Sequence, residues 1–128
     1  MNARDRLRLP HSCGYLWAAR AAAVILALFV LALAIGHGGL PSLAEQPWSV
    51  RVIFLGGAVV FAGYAIGWRA PAVGGWIGLA GLAVMNAGEW AANGRPLGGV
   101  FPLLAVPCVL YLIGAWLVRR HGPGCPVD

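Results

Sequence analysis

Apolar residues fall in four long runs, each to be measured against the ~20 helical residues that cross a bilayer's hydrocarbon core. They cover about 18–35, 52–68, 72–92 and 100–118. Arg20 lies near the start of the first run, close enough for its guanidinium to snorkel to headgroup level. The second run, 17 residues from Val52 to Trp68, is near the lower length limit. Trp48 and Trp68 flank it, where amphipathic rings favour the membrane interface. The fourth is closed by Trp116 and the pair Arg119-Arg120. Connections of about 16, 3 and 7 residues require neighbouring helices to run antiparallel. The pattern predicts an all-α polytopic membrane protein: a four-transmembrane-helix up-and-down bundle over 18–118. A basic N-terminal segment (1–17) precedes it and a short tail (119–128) follows.

Composition excludes the main alternatives. Of 128 residues, 60% are hydrophobic and 10% charged, with no Lys and no Thr. Soluble domains carry roughly 25% charge, and a small one needs that polar coat. A soluble enzyme, a disordered chain and a disulfide-framed secreted domain all fit poorly.

The net charge of +5 raises the question of nucleic acid, but the arginines form no aromatic-interleaved basic stripe, so no nucleic-acid partner is expected. Arg4, Arg6, Arg8, Arg20, Arg69, Arg119 and Arg120 fall on one side of the predicted bundle, and Arg51 and Arg95 on the other, beside Glu45 and Glu89. Seven against two predicts cytoplasmic N- and C-termini by the positive-inside rule. A rival reading takes the first run as a cleaved signal peptide with an A-x-A site at Ala32-Leu33-Ala34. The twenty-residue leader, Arg20 abutting the core and the spoiled charge pattern argue against it.

Lipid tails are as apolar as leucine, so helices in a membrane associate through close packing. Gly63 and Gly67 form a G-x-x-x-G unit in the second span, where Gly56 lies on the same stripe. In the third, Gly74, Gly81 and Gly88 recur every seven residues, with Gly78 completing a second G-x-x-x-G. These six (Gly63, Gly67, Gly74, Gly78, Gly81 and Gly88) should pack the second and third helices closely; a homodimer seam is the other use of such a stripe. Pro71 closes the tight turn before the third span, and Pro102 falls in the first turn of the fourth, where its missing N–H costs little. Pro107, read as lying deeper, predicts a kink that frees the carbonyl near Leu103.

Few polar side chains fall inside the spans: Tyr64, Asn86, Glu89, Cys108 and Tyr111. Asn86, Glu89 and Asn93 form a stripe on one helix face, with Arg95 within one to two turns as a partner for Glu89. An intramembrane carboxylate can carry protons or bind a cation. Glu89 is, however, within ~5 Å of the predicted helix end, which favours an interfacial carboxylate. His11, His37 and His121 are spread over both sides and cannot meet. Cys13, Cys108 and Cys125 make neither a CxxC pair nor a zinc spacing. No catalytic triad, carboxylate pair or P-loop can be assembled. Catalytic residues, metal ligands and cofactors are therefore not expected, and neither is enzyme activity.

Gly67-Trp68-Arg69-Ala70-Pro71-Ala72-Val73-Gly74-Gly75-Trp76 resembles the W-R-x-P-x-x-G-G turn of a group of uncharacterised small bacterial membrane proteins. Phe101-Pro102-Leu103-Leu104-Ala105-Val106-Pro107 is similar to the start of their last helix. The resemblance covers roughly residues 50–118 and implies a four-helix inner-membrane protein, without implying a site. Cys108 stands where the resemblance leads one to expect a small residue, often glycine, after the proline. Small multidrug resistance transporters are similar in size and topology but carry a glutamate in the first helix, and none is present here. Fluoride channels use Asn, Ser, Thr and Phe deep in the bundle, whereas Ser12, Ser42 and Ser49 all lie outside the spans. The expectation is a structural or accessory subunit of a bacterial inner membrane, with the lipid bilayer and a second copy or another membrane subunit as partners. The alternative is a small transporter or channel whose outer vestibule Asn86 and Glu89 line.

Overall fold

A computed structural model describes residues 11–39 and 42–121. They form four α-helices: α1 (His11–Gly36), α2 (Trp48–Gly67), α3 (Pro71–Asn93) and α4 (Ala105–His121), the last preceded by a 3₁₀ turn over Phe101–Leu104. Each helix, counting the turn with α4, is long and apolar enough to cross a membrane. No strand occurs among the described residues. The first segment (1–10) and most of the tail lie outside them.

The boundaries differ from the hydropathy reading where polar residues are still compatible with helix. Nothing between His11 and Ala18 breaks a helix, so α1 starts seven residues before the expected Ala18. Arg20 is thus in its third turn rather than at its start. In α2 the helix begins directly after Pro47, taking in Trp48, Ser49 and Arg51 for a full 20 residues. Arg51 turns back over the preceding loop, its Nη2 donating to the Ala44 carbonyl (2.7 Å) and its Nε to that of Gln46 (3.0 Å).

Pro107 requires a correction. Regular α-helix starts only at Ala105, after the 3₁₀ turn that carries Pro102. Pro107 therefore sits in the first helical turn, where an N–H has no intrahelical acceptor to lose. The expected deep kink at Pro107 is replaced by a change of helix type at the entry.

Between α2 and α3 the chain turns in three residues, Trp68-Arg69-Ala70. The Arg69 and Ala70 amides return to the Ile66 carbonyl, and Pro71 opens the next helix at a position needing no N–H. At the other end of α3, Gly94 takes a left-handed conformation (φ 66°) and donates its N–H to the Trp90 carbonyl. Only glycine adopts that cap without a Cβ penalty.

The glycines set how closely the helices approach. A Cβ on Gly63 would lie 2.6 Å from the Gly78 nitrogen and 2.8 Å from the Gly74 carbonyl oxygen. One on Gly81 would lie 2.7 Å from the Gly56 oxygen, and one on Gly88 would meet Val52 at 2.8 Å. The α2–α3 backbones are thus in direct contact, the most extensive helix pairing in the bundle. Two of the six glycines also serve α4: Gly78 faces the Cys108 sulfur, and Gly67 lies under the Tyr111 ring. Helix α4 packs on α3, and α1 packs mainly on α4, through Leu16 against Gly114. By contrast, α1 scarcely touches α2. The bundle is closed on three sides and open on the fourth, with Val60, Tyr64, Leu82, Met85, Leu104 and Cys108 at its centre.

Candidate functional site

The open side is a groove between α1 and α2. Its α1 wall is lowered by Ala23, Ala27 and Ala34, its α2 wall is formed by Phe61, Tyr64 and Ala65, and Met85 and Leu104 are at its floor. It comprises two cavities of about 520 and 630 Å³ that share Val30, Ala34 and Phe61. The lining is apolar almost throughout, apart from His37 at one end: the Tyr64 hydroxyl is occupied, donating to the Leu104 carbonyl at 2.6 Å.

At one end the groove stops against a cationic cluster. The Arg20 Nη2 donates to the Trp68 carbonyl at 2.7 Å, tying α1 to the end of α2. Its guanidinium carbon lies 5.5 Å from the Trp17 ring centroid and 5.3 Å from that of Trp68, within cation–π range. The Nε is buried without a hydrogen-bond partner. Arg69, Arg119 and Arg120 belong to the same end of the bundle, with Arg120 4.2 Å over Trp116. Among the described residues both carboxylates, Glu45 and Glu89, lie toward the opposite end.

The residues singled out from sequence behave differently. Asn86 is taken up by the backbone: its Nδ2 donates to the Leu82 carbonyl (3.0 Å), and its Oδ1 accepts from the Leu97 N–H (3.2 Å). It thereby pins the α3–α4 connection. Glu89 accepts from Asn93 Nδ2 at 2.9 Å and does not pair with Arg95. Asn93 and Arg95 are exposed, and Asn86 and Glu89 are partly buried near that end of α3. Asn86→Ala would leave the Leu97 amide without its acceptor, at a cost of about 1 kcal/mol. Faster hydrogen exchange at Leu97, with α2 and α3 unchanged, is the expected result.

Tyr64, Cys108 and Tyr111, scattered in sequence, meet in the interior. Tyr111 donates to the Tyr64 carbonyl at 3.4 Å, and the Cys108 thiol to the Leu104 carbonyl at 3.6 Å. Every acceptor is a main-chain carbonyl, so the cluster braces helices internally. Cys108 is a free, buried thiol, whereas Cys13 is disulfide-bonded. No group of three or more His, Cys, Asp or Glu gathers among the described residues. Sequence reasoning missed the groove because it sought packing surface in glycines. The Ala23-x-x-x-Ala27 spacing is a small-residue stripe too; Ala23 is buried in the core and Ala27 half-buried, and both border the groove.

Comparison with known proteins decides the family. A family model described as a domain of unknown function, DUF7670, matches residues 9–124. The chain belongs to the DUF7670 family. That match extends well beyond the 50–118 covered by the turn and last-helix motifs. No curated protein and no solved structure matches this DUF7670 chain.

Proposed function

We propose that this DUF7670 protein is a multi-pass, non-enzymatic accessory protein of a bacterial inner membrane, working through helix–helix and helix–lipid contacts. The carrying observation is the α1–α2 groove, an apolar surface open on the flank of a bundle whose other sides are closed. Large exposed apolar patches mark interaction surfaces, here toward lipid or another membrane subunit. A conduit would instead need polar groups free to face water along an axis, and the interior hydroxyls and thiol are engaged with main-chain carbonyls.

For orientation, the seven-to-two arginine asymmetry supports cytoplasmic termini. One experiment addresses both matters. Single cysteines replace Glu89, Met85, Leu82 or Leu79 in a Cys13→Ser, Cys108→Ala, Cys125→Ser background, and intact cells are treated with a membrane-impermeant maleimide. Labelling at position 89 alone, without permeabilisation, is the expected result. Labelling that continues through 85, 82 and 79 would establish a water path and overturn the accessory reading. Labelling only after permeabilisation would invert the topology.

A further inference from the structure

We propose that the α1–α2 groove binds one anionic phospholipid, with an acyl chain between the helices and the phosphate at Arg20. The inference rests on the chain being embedded in a bilayer.

Three observations converge on that occupant. The first is charge. Of the five N–H donors of the Arg20 guanidinium, Nη2 reaches the Trp68 carbonyl, and among the described residues no carboxylate pairs with the cation. Trp17 and Trp68 flank it through their ring faces, which fixes the group while leaving its remaining exposed edge for an acceptor. A phosphate fits that edge by charge and hydrogen-bond geometry. Basic pockets between transmembrane helices bind anionic headgroups in this way.

The second is depth. From Arg20 to Ala34 the α1 wall runs for 14 residues, or ~21 Å at ~1.5 Å per residue. One leaflet contributes half of a ~30 Å hydrocarbon core. A headgroup held at Arg20 therefore sends its chain along Ala23 and Ala27 for the ~15 Å of one leaflet, and the ~21 Å wall is long enough to hold it.

The third is shape and chemistry. Small residues on α1 open a groove whose walls are aliphatic and aromatic apart from His37 at the end away from Arg20, and the one hydroxyl among its lining residues, on Tyr64, is already bonded to Leu104. Among the described residues, a ligand's cationic group would find no anion at the Arg20 end. At 520 and 630 Å³ the cavities suit a flexible chain better than a whole helix, which is ~10–12 Å across with its side chains.

The test is lipid retention by the full-length protein. It is reconstituted in nanodiscs of phosphatidylglycerol and phosphatidylcholine in equal amounts, extracted in mild detergent and examined by native mass spectrometry. One retained phosphatidylglycerol per chain is expected. Arg20→Gln should lower its retention about fivefold, the scale of one arginine acting on an anionic surface. Arg95→Gln, at the far end, should leave it unchanged. Ala27→Phe, and separately Ala65→Phe, should displace the lipid by filling the groove with Arg20 intact, and melting curves of each variant verify folding. Equal retention of the two lipids, or full retention by Arg20→Gln, would overturn the proposal. So would efficient disulfide cross-linking between chains through Ala27→Cys in the Cys-free background, which would put a second copy in the groove. Alkaline extraction of the same membranes separates the two levels. Release of the chain would overturn the bilayer reading and this inference with it, whereas a chain that stays embedded but ignores Arg20 overturns this inference alone.

Discussion

Gly74→Leu is expected to abolish the folded bundle, and Gly74→Ala to cost about 1–3 kcal/mol, the range for overpacking a filled interior. A Cβ at this position would collide with the nitrogen and Cα of Gly67, and lie 2.5 Å from the Gly63 carbonyl oxygen. These are backbone atoms of a helix and have no rotamer to change, so α2 and α3 must separate and lose contact along the rest of the seam. Gly63→Ala should behave similarly, meeting Gly78 and Gly74 main chain. Gly78→Ala should be milder, because its obstacle is the Cys108 side chain. Gly57→Ala meets nothing within 4 Å and should be neutral. Thermal unfolding in detergent, read as recovery of monodisperse protein, gives the ranking. Equal stability of Gly74→Ala and Gly57→Ala would show that the two helices do not meet as described.

Tyr111→Ala should cost about 3–5 kcal/mol, the range for truncating a large buried aromatic. Tyr111 is 0% exposed and covers Gly67, so its ring joins α4 to the end of α2 at the point where a glycine leaves room for it. Tyr111→Phe should cost under ~1 kcal/mol, since hydrogen bonds between membrane helices average ~0.6 kcal/mol and this one is long at 3.4 Å. The contrast separates packing from hydrogen bonding, and both values come from the same unfolding measurement. A Phe variant as damaged as the Ala variant would transfer the importance of Tyr111 to its hydroxyl.

What was legible in the sequence follows from which interactions are local. The four spans could be read because hydropathy is a property of consecutive residues, and their antiparallel order because the connection at Trp68-Arg69-Ala70 is too short for anything else. The α2–α3 seam could be read because a seven-residue glycine repeat is periodic on one helix. The additional role of Gly78 and Gly67 toward α4 could not, because it depends on Cys108 and Tyr111, some 30 to 44 positions away. Helix ends were shifted where Trp48 and Arg51 continue a helix that hydropathy had closed. Pro107 misled for a related reason: its effect depends on where the α-helix starts, and the 3₁₀ turn moves that start to Ala105. Of the candidate site, Asn86 and Glu89 were conspicuous for being polar, yet their partners are the Leu97 amide and Asn93. The groove is the converse case. Apart from Tyr64 and His37 it is made of apolar residues with no chemical signal, and only the failure of α1 to reach α2 brings it into being.

That same asymmetry orders the assembly of the chain. The α2–α3 hairpin is joined by three residues and sealed along its own glycines, so it can form as soon as both segments have entered the bilayer. The main docking surface of α1 belongs to α4, the last of the four helices in chain order. If the chain is membrane-embedded as proposed, α1, the earliest of these four helices to be made, must therefore stand alone in lipid until α4 follows, and it is the last of the four to find its place. Its apolar run from Ala21 to Ile35, with no carboxylate anywhere from His11 to Gly36, suits a segment that has to survive that wait unaccompanied.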